Sequence, residues 1–223
     1  MFLMDQQDPS AEELLVFSAS DLVAASECEY RLLRTLDEKT GRAARGAVEA
    51  DDMLERTATL GDVHEQQVLA GLVDLVGADA VREIPVPRTM RREDLVAAHA
   101  ATLAALRDGV EVVYQGSFFD GRFHGRADFL IRTDSRAAHV SLLPAGPTTS
   151  GTLRGPGAPG AGGPEYAVYD AKLARRAKVP ALLQLAAYAD QLLAAGVETS
   201  PVLHLILGTR AVTDHRLADV LPV

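Results

Sequence analysis

The 223-residue chain has little of several things that often carry function. Its one cysteine, Cys28, excludes a disulfide within the chain and a four-cysteine zinc or iron–sulfur site. No apolar run approaches the length of a membrane-spanning helix, and the N-terminus lacks the basic start and long apolar stretch of a signal peptide. These absences predict a reducing, cytoplasmic setting, and the length fits one domain.

Lysine is also scarce. Lys39, Lys172 and Lys178 are the only lysines, and arginine supplies every other basic side chain. Lysine is a compact, titratable cation that arginine does not replace, so Lys172 indicates a position that needs an ammonium group. The net charge of −9 argues against a protein that coats nucleic acid through a basic surface. It does not exclude a nuclease, because the metal site of a nuclease is itself acidic.

The most informative local pattern is Asp170-x-Lys172, which ends a short apolar run typical of a buried strand. Side chains two apart on a strand point to the same face, so this carboxylate and ammonium are predicted to project side by side. A carboxylate for a hard metal beside an ammonium for a phosphate or a water is the minimal set for metal-assisted phosphodiester cleavage. The alternative is a salt bridge at a strand end.

The first 13 residues are predicted to be a flexible tail. Ser18 and Asp21 have the spacing of a capping box, which predicts a helix that ends near Gly41. A second helical region is predicted from about 47 to 76, with a break near Gly61. The candidate buried positions of the first helix are Leu22, Cys28, Leu32, Leu33 and Leu36.

A β-hairpin is predicted around Asp120-Gly121, the strongest short turn signal in the chain. Asp120 is therefore a turn residue, whereas Asp128, in the second strand, is a poor candidate for an ordinary surface position. An alanine-rich helix from 93 to 107, closed by Gly109, precedes the hairpin.

Residues 143–164 are rich in Gly, Pro, Ser and Thr and are predicted to be a disordered insertion. A strand (166–171), a helix (180–195) and a last buried strand (202–207) follow. Residues 210–223 are predicted to begin a C-terminal continuation of a longer protein.

The order of these motifs resembles the RecB-type branch of the PD-(D/E)XK nuclease superfamily, and most closely the predicted RecB-family nuclease modules of long bacterial proteins that carry a helicase or ribonuclease H-like domain. The matching strings are Ser20-Asp21-Leu22, Gly61-Asp62-Val63-His64-Glu65, Gly125-Arg126-Ala127-Asp128-Phe129-Leu130, Asp170-Ala171-Lys172-Leu173-Ala174-Arg175 and Gln184-Leu185-Ala186-Ala187-Tyr188. The resemblance implies an α/β, restriction-endonuclease-like domain over 14–209, with a mixed β-sheet flanked by helices and an N-terminal helical region.

The resemblance also implies a metal site. Asp128, Asp170 and the Ala171 backbone carbonyl would hold Mg²⁺ or Mn²⁺, with His64 as a further ligand. These hard oxygen ligands plus one imidazole suit those ions better than zinc. Glu65 would support His64 or join a second metal, and the residues leave both roles open. The lone cysteine excludes the iron–sulfur cluster that some members of this branch hold.

Further roles follow from the same resemblance. Lys172 would orient the attacking water and offset charge in the transition state, while Gln184 and Tyr188 would hold the lysine or the backbone of its strand. Residues predicted to contact nucleic acid are Arg126, Arg175, Arg176 and Lys178.

The leading hypothesis is a metal-dependent nuclease that hydrolyses DNA phosphodiester bonds in DNA repair, recombination or defence. Its partners would be DNA and a helicase or ribonuclease H-like domain in the same chain. The alternative is a catalytically silent nuclease-fold module that binds DNA or docks a helicase partner. A zinc protease is disfavoured because Val68 stands where the second histidine of the helical zinc motif would fall. A small-phosphoester hydrolase ranks last, because no phosphate-cradling glycine loop leads into a helix.

Overall fold

A mixed six-stranded sheet with helices on both faces organises the chain, as seen in a computed structural model that describes residues 1–4, 14–46, 52–139 and 163–221. The strands are β1 (Phe2–Met4), β2 (Leu14–Val16), β3 (Val81–Glu83), β4 (Val112–Phe119), β5 (His124–Arg132), β6 (Tyr166–Lys172), β7 (Val202–Leu207) and β8 (Val212–Arg216). The helices are α1 (Ala19–Glu27), α2 (Glu29–Lys39), α3 (Asp52–Val76), α4 (Arg92–Arg107) and α5 (Val179–Ala194). The predicted α/β class with a mixed, helix-flanked sheet is thereby confirmed.

The sheet runs in the order β3-β4-β5-β6-β7-β8. Two neighbouring pairs are parallel, β3 with β4 and β6 with β7, and the other pairs are antiparallel. Among the described residues, no helix is both long enough and apolar enough to cross a membrane.

Successive residues of the central strands belong to two separate apolar clusters, as expected when side chains alternate between the faces of a sheet. Val168 lies in the cluster formed with α4 and α5, and its neighbour Tyr169 lies in the cluster formed with α3. Leu205 and Ile206 divide in the same way. The sheet is therefore the middle layer of three, with α3 on one face and α4 and α5 on the other.

The long helix α3 runs without interruption through Gly61, so the predicted break is wrong. A glycine inside a helix costs about 1 kcal/mol relative to alanine, which packing elsewhere offsets. That packing comes from the C-terminal half, where Val68 and Leu72 are buried against the sheet. Met53 and Leu60, in the N-terminal half, are exposed.

The N-terminal region differs most from the prediction. The capping box is present, since the Asp21 carboxylate accepts the backbone N–H and the hydroxyl of Ser18. The single predicted helix is wrong, because Cys28 is extended and separates α1 from α2. The predicted burial is wrong too, since α2 has no buried residue and Leu22 and Leu33 are exposed.

Two predictions about the ends of the chain also need correction. Residues 2–4, assigned to a flexible tail, form β1 and pair with β2, while residues 5–13 lie outside the described part of the chain. Residues 212–216, assigned to a C-terminal continuation, form β8 and pair with β7 as the last strand of the sheet. The predicted insertion at 143–164 lies outside the described residues, apart from its last two.

The predicted hairpin is confirmed. The Asp120 carboxylate accepts the backbone N–H of Arg122 and of Phe123 at 2.8 and 2.7 Å, and Gly121 has a positive φ of 98°. Glycine suits this position because it adopts a left-handed backbone without steric cost. The hairpin places β5 between β4 and β6, and thus places Asp128 beside the end of β6.

Candidate functional site

Asp128 and Asp170 face each other across two adjacent antiparallel strands. The pairing of β5 with β6 ends at Phe129 and Tyr169, so Asp128 and Asp170 are the next residues in register. At this point Asp128 Oδ2 accepts the backbone N–H of Ala171 at 2.9 Å. Directly opposed residues bring their side chains close together, so two carboxylates lie side by side where the strands separate.

Asp170 is buried but only half satisfied. Its exposed fraction is 2%, and the Lys172 Nζ lies 2.8 Å from each of its carboxylate oxygens. Only the contact with Oδ1 has the geometry of a hydrogen bond, and Oδ2 is buried without any hydrogen-bond partner. The Asp170–Lys172 juxtaposition predicted from the sequence is therefore present, and it leaves one carboxylate oxygen available.

The electrostatics of the group reflect this crowding. Burial, followed by the negative charge of Asp170, raises the pKa of Asp128 to about 7. Burial also raises the pKa of Asp170, although the Lys172 ammonium acts in the opposite direction. Burial disfavours the charged form of Lys172, but the charges of Asp170 and Asp128 outweigh it and raise the pKa of this lysine. These are the effects that a bound cation would relieve.

Glu65 approaches the same group from α3. Its pKa is raised by burial and then by the charge of Asp128. The Gln115 side-chain amide donates a hydrogen bond to Glu65 Oε1, and the Tyr114 hydroxyl, which also accepts a bond of 2.8 Å from Gln66 Nε2, lies within hydrogen-bonding reach of Glu65. The partners of Glu65 are therefore on β4, and the predicted support of His64 by Glu65 is not among its contacts.

Gln115 and Tyr114 were not among the predicted site residues. Gln115 stands opposite Asp128 in the ladder, between the pairs Tyr114–Phe129 and Gly116–Ala127. Its φ of 56° is left-handed, a conformation that non-glycine residues rarely adopt and that clusters at functional sites. The sequence offers no signal for it, since nothing marks a glutamine inside a strand as left-handed.

His64 is buried on α3, with its Nε2 3.4 Å from the carbonyl oxygen of Ile206. Ile206 pairs with Ala171, so this histidine lies over the strand next to the predicted metal-binding carbonyl. In the part of the chain that the structure describes, no three His, Cys, Asp or Glu side chains form a ready-made metal cluster. The ligand role of His64 therefore stays a prediction, and the residues brought together are Asp128, Asp170, Lys172 and Glu65.

Tyr188 lies close to the acids but supports β5 rather than the lysine. Its ring stacks on Phe118 with centroids 6.2 Å apart, and its hydroxyl lies beside the backbone of Arg126. Its pKa is raised by burial and then by the charges of Asp170 and Asp128. A Cβ at position 125 would come within 2.6 Å of the Tyr188 ring, which explains the glycine there. Gln184 is half-buried one turn earlier on α5.

The predicted nucleic-acid contacts fall into two places. Arg175, Arg176 and Lys178 are exposed in the segment between β6 and α5, directly after the acid–lysine pair. Gly208 N–H donates to the Ala174 carbonyl at 3.2 Å and anchors that segment to the end of β7. Arg126 is half-buried on β5.

The donor set fits a small divalent cation. Mg²⁺ is usually bound through one or two carboxylates and keeps several waters, and Asp128, Asp170 and the Ala171 carbonyl supply oxygens of that kind. The buried Asp170 Oδ2, which forms no hydrogen bond, is the atom that such a cation would satisfy.

Comparison with known proteins adds no identity: no protein-family model matches the chain, and no curated protein matches it. The geometry of the site is therefore the basis for assigning a function.

Proposed function

We propose that this chain is a metal-dependent nuclease that hydrolyses DNA phosphodiester bonds, with a restriction-endonuclease-like fold of the RecB type. The observation that carries the proposal is the pair of buried, opposed carboxylates of Asp128 and Asp170, one of which retains an oxygen with no hydrogen bond. Two buried acids with raised pKa values cost stability. Groups of this kind in a fold are candidates for function rather than for structure.

Asp128, Asp170 and the Ala171 carbonyl would hold Mg²⁺ or Mn²⁺, and the bound ion would polarise the scissile phosphate and lower the pKa of a water. Lys172 is fixed next to this place by Asp170. Its ammonium offsets the negative charge that develops on the phosphoryl oxygens and orients the attacking water through its remaining donors.

Arg175, Arg176 and Lys178 contact the phosphates of the bound strand, because they are exposed and lie directly after Lys172 in the chain. They are few, and the chain as a whole carries a charge of −9. Binding of DNA by this domain alone is therefore weak and has a shallow salt dependence. A helicase or ribonuclease H-like domain in the same polypeptide would raise the local DNA concentration and offset this weakness.

The deciding experiment is incubation of the purified protein with labelled linear and circular DNA, with Mg²⁺ or Mn²⁺ and in matched reactions with a chelator. Metal-dependent cleavage that Asp170→Asn abolishes supports the proposal, and cutting of the circle separates endonuclease from exonuclease activity. If the protein binds DNA but cuts it with neither ion, the silent nuclease-fold module is the better description.

A further inference from the structure

A small polar cleft opens beside the acid group, with a volume of about 360 Å³. Glu65 belongs to both the cleft and the acid group, and the argument also depends on Glu83, Tyr114, Gln115 and Arg126 in its lining. The volume is at the lower end of the range for ligand pockets, which is roughly 300–1,000 Å³. The cleft therefore accommodates one small unit beside the site of cleavage.

Arg126 is the only basic residue in this lining, and it is under-used. Its Nε is buried with no hydrogen-bond partner, and its Nη2 forms only a long contact of 3.4 Å with the Ile84 carbonyl. Among the described residues it forms no ion pair within 4 Å, although Glu65 and Glu83 line the same cleft. A buried guanidinium donor without a partner requires an explanation, and a bound anion is the usual one.

The acids of the cleft limit what that anion is. Glu65 is already hydrogen-bonded by Gln115 and close to the Tyr114 hydroxyl, and Glu83 is exposed to solvent. A single guanidinium among these carboxylates balances one phosphate and repels a row of them. The side-chain amide of Gln115 and the hydroxyl of Tyr114 leave polar atoms for the uncharged parts of a nucleotide.

We propose that this cleft binds one unpaired nucleotide of the strand being cut, next to the scissile phosphate, with the Arg126 guanidinium holding that nucleotide's phosphate. The inference rests on the proposed nuclease function and narrows its substrate to a single strand or a frayed end. A duplex keeps its bases stacked and paired, so it enters a pocket of this size only by unpairing.

The test compares binding of a fluorescein-labelled oligothymidine and of a labelled hairpin duplex in EDTA buffer across a series of NaCl concentrations. Arg126→Ala is expected to weaken single-strand binding about tenfold. It is also expected to reduce the slope of log affinity against log salt by about 0.7, the value for one phosphate contact on a single strand. Duplex binding is expected to change less than twofold.

Two further variants make the test specific. Arg216→Ala removes the same charge from β8, at the opposite edge of the sheet, and is expected to leave single-strand binding unchanged. Arg126→Lys keeps the charge but loses the planar donors, so it is expected to preserve the salt slope and lose about threefold in affinity. Thermal unfolding of each variant verifies its fold, and Arg126→Lys decides the question if the alanine variant is unstable.

Equal losses on duplex and single strand, or unchanged single-strand binding by Arg126→Ala, would overturn the nucleotide site. Because binding is measured without metal, the two proposals fail separately. A wild-type protein that binds the single strand through Arg126 but cuts with neither ion keeps this site and loses the nuclease function. A protein that cuts, and whose Arg126→Ala variant keeps the wild-type KM on single strands, keeps the nuclease function and loses this site.

Discussion

Asp170 and Asp214 are two acids of the same sheet, each beside a base, and their pKa values move in opposite directions. Asp214, on the edge strand β8, is about half exposed, and a 2.8 Å hydrogen bond with His204 Nδ1 lowers its pKa. Asp170, on the central strand β6, is almost fully buried, and burial raises its pKa in spite of the Lys172 ammonium. The partner alone does not decide how a carboxylate ionises; access to water does.

The comparison also separates two kinds of contribution. An ion pair at the surface stabilises a protein by about 1 kcal/mol at most. A buried carboxylate with a second one opposite it works against folding, and it persists where ligand binding or chemistry requires it. On this reasoning the β7–β8 pair is structural and the β5–β6 group is the functional one.

Asp170→Asn tests the functional half most strongly. We expect DNA cleavage to fall by about a thousandfold, since loss of a metal ligand removes several kcal/mol of transition-state stabilisation. We expect the metal-free protein to become more stable by about 1 kcal/mol, because a buried charge disappears. Cleavage assays and urea unfolding in EDTA measure the two effects. Near-normal cleavage by this variant would place Asp170 among the ordinary salt-bridge residues.

Lys172→Arg asks whether the buried base is more than a counter-charge. We expect a loss of at least about a hundredfold in cleavage, because the guanidinium keeps the charge but changes its geometry and cannot exchange a proton. Lys39→Arg, at the exposed end of α2, is the matched control and is expected to retain full activity. Melting temperatures of both variants verify the fold. An arginine variant that cuts at the wild-type rate would contradict the role given to this lysine.

The pH dependence of stability should differ in sign between the two regions. Asp128 has a pKa of about 7 in the folded protein and about 4 when unfolded. The stabilisation that its protonated form supplies is therefore complete below pH 4 and is lost as the pH rises through 7. Denaturant unfolding in EDTA should show wild-type stability falling by on the order of 3 kcal/mol across this interval relative to Asp128→Asn.

Asp214 works in the opposite direction. Its folded pKa is lowered, so its contribution is present above the unfolded pKa and is lost as the pH falls through the folded one. A wild-type protein that unfolds with the same pH profile as Asp128→Asn would remove the electrostatic distinction between the two regions.

The smallest effect is expected at the exposed pair. Asp214→Asn should cost about 0.5 kcal/mol in the free energy of unfolding and leave cleavage within about twofold of wild type. A double-mutant cycle with His204→Gln isolates the energy of the pair itself. A coupling of about 2 kcal/mol or more would mean that this pair resembles the buried one more closely than its exposure indicates.

The parts of the fold that the sequence predicted are those with local chemical signals. Asp120-Gly121 marks the hairpin, a proline at the start of α5 marks its first turn, and Gly109 closes the loop after α4. β8 escaped prediction because Val-Thr-Asp-His-Arg has no apolar alternation, and its strand conformation comes from pairing with β7. The apolar residues of α2 predicted burial, but their spacing does not reveal what a helix packs against.

The candidate site divides in the same way. Asp128, Asp170 and Lys172 were found because the motif order indicated them, and the register of β5 with β6 explains their proximity. Gln115 was not found, because its contact with Glu65 joins residues 50 apart in the chain and depends on a left-handed backbone. Tertiary contacts of this kind follow from the assembled sheet and leave no trace in local sequence.

The hydrogen bond that ends the β5–β6 ladder also has a consequence for ion selectivity. Asp128 Oδ2 is occupied by the Ala171 amide, and Asp170 Oδ1 is occupied by Lys172, so each acid offers a cation one free oxygen. Ca²⁺ takes six to eight ligands and often uses both oxygens of a carboxylate, whereas Mg²⁺ accepts single oxygens and retains waters. A backbone amide thus enforces monodentate coordination and favours the smaller of two ions of equal charge.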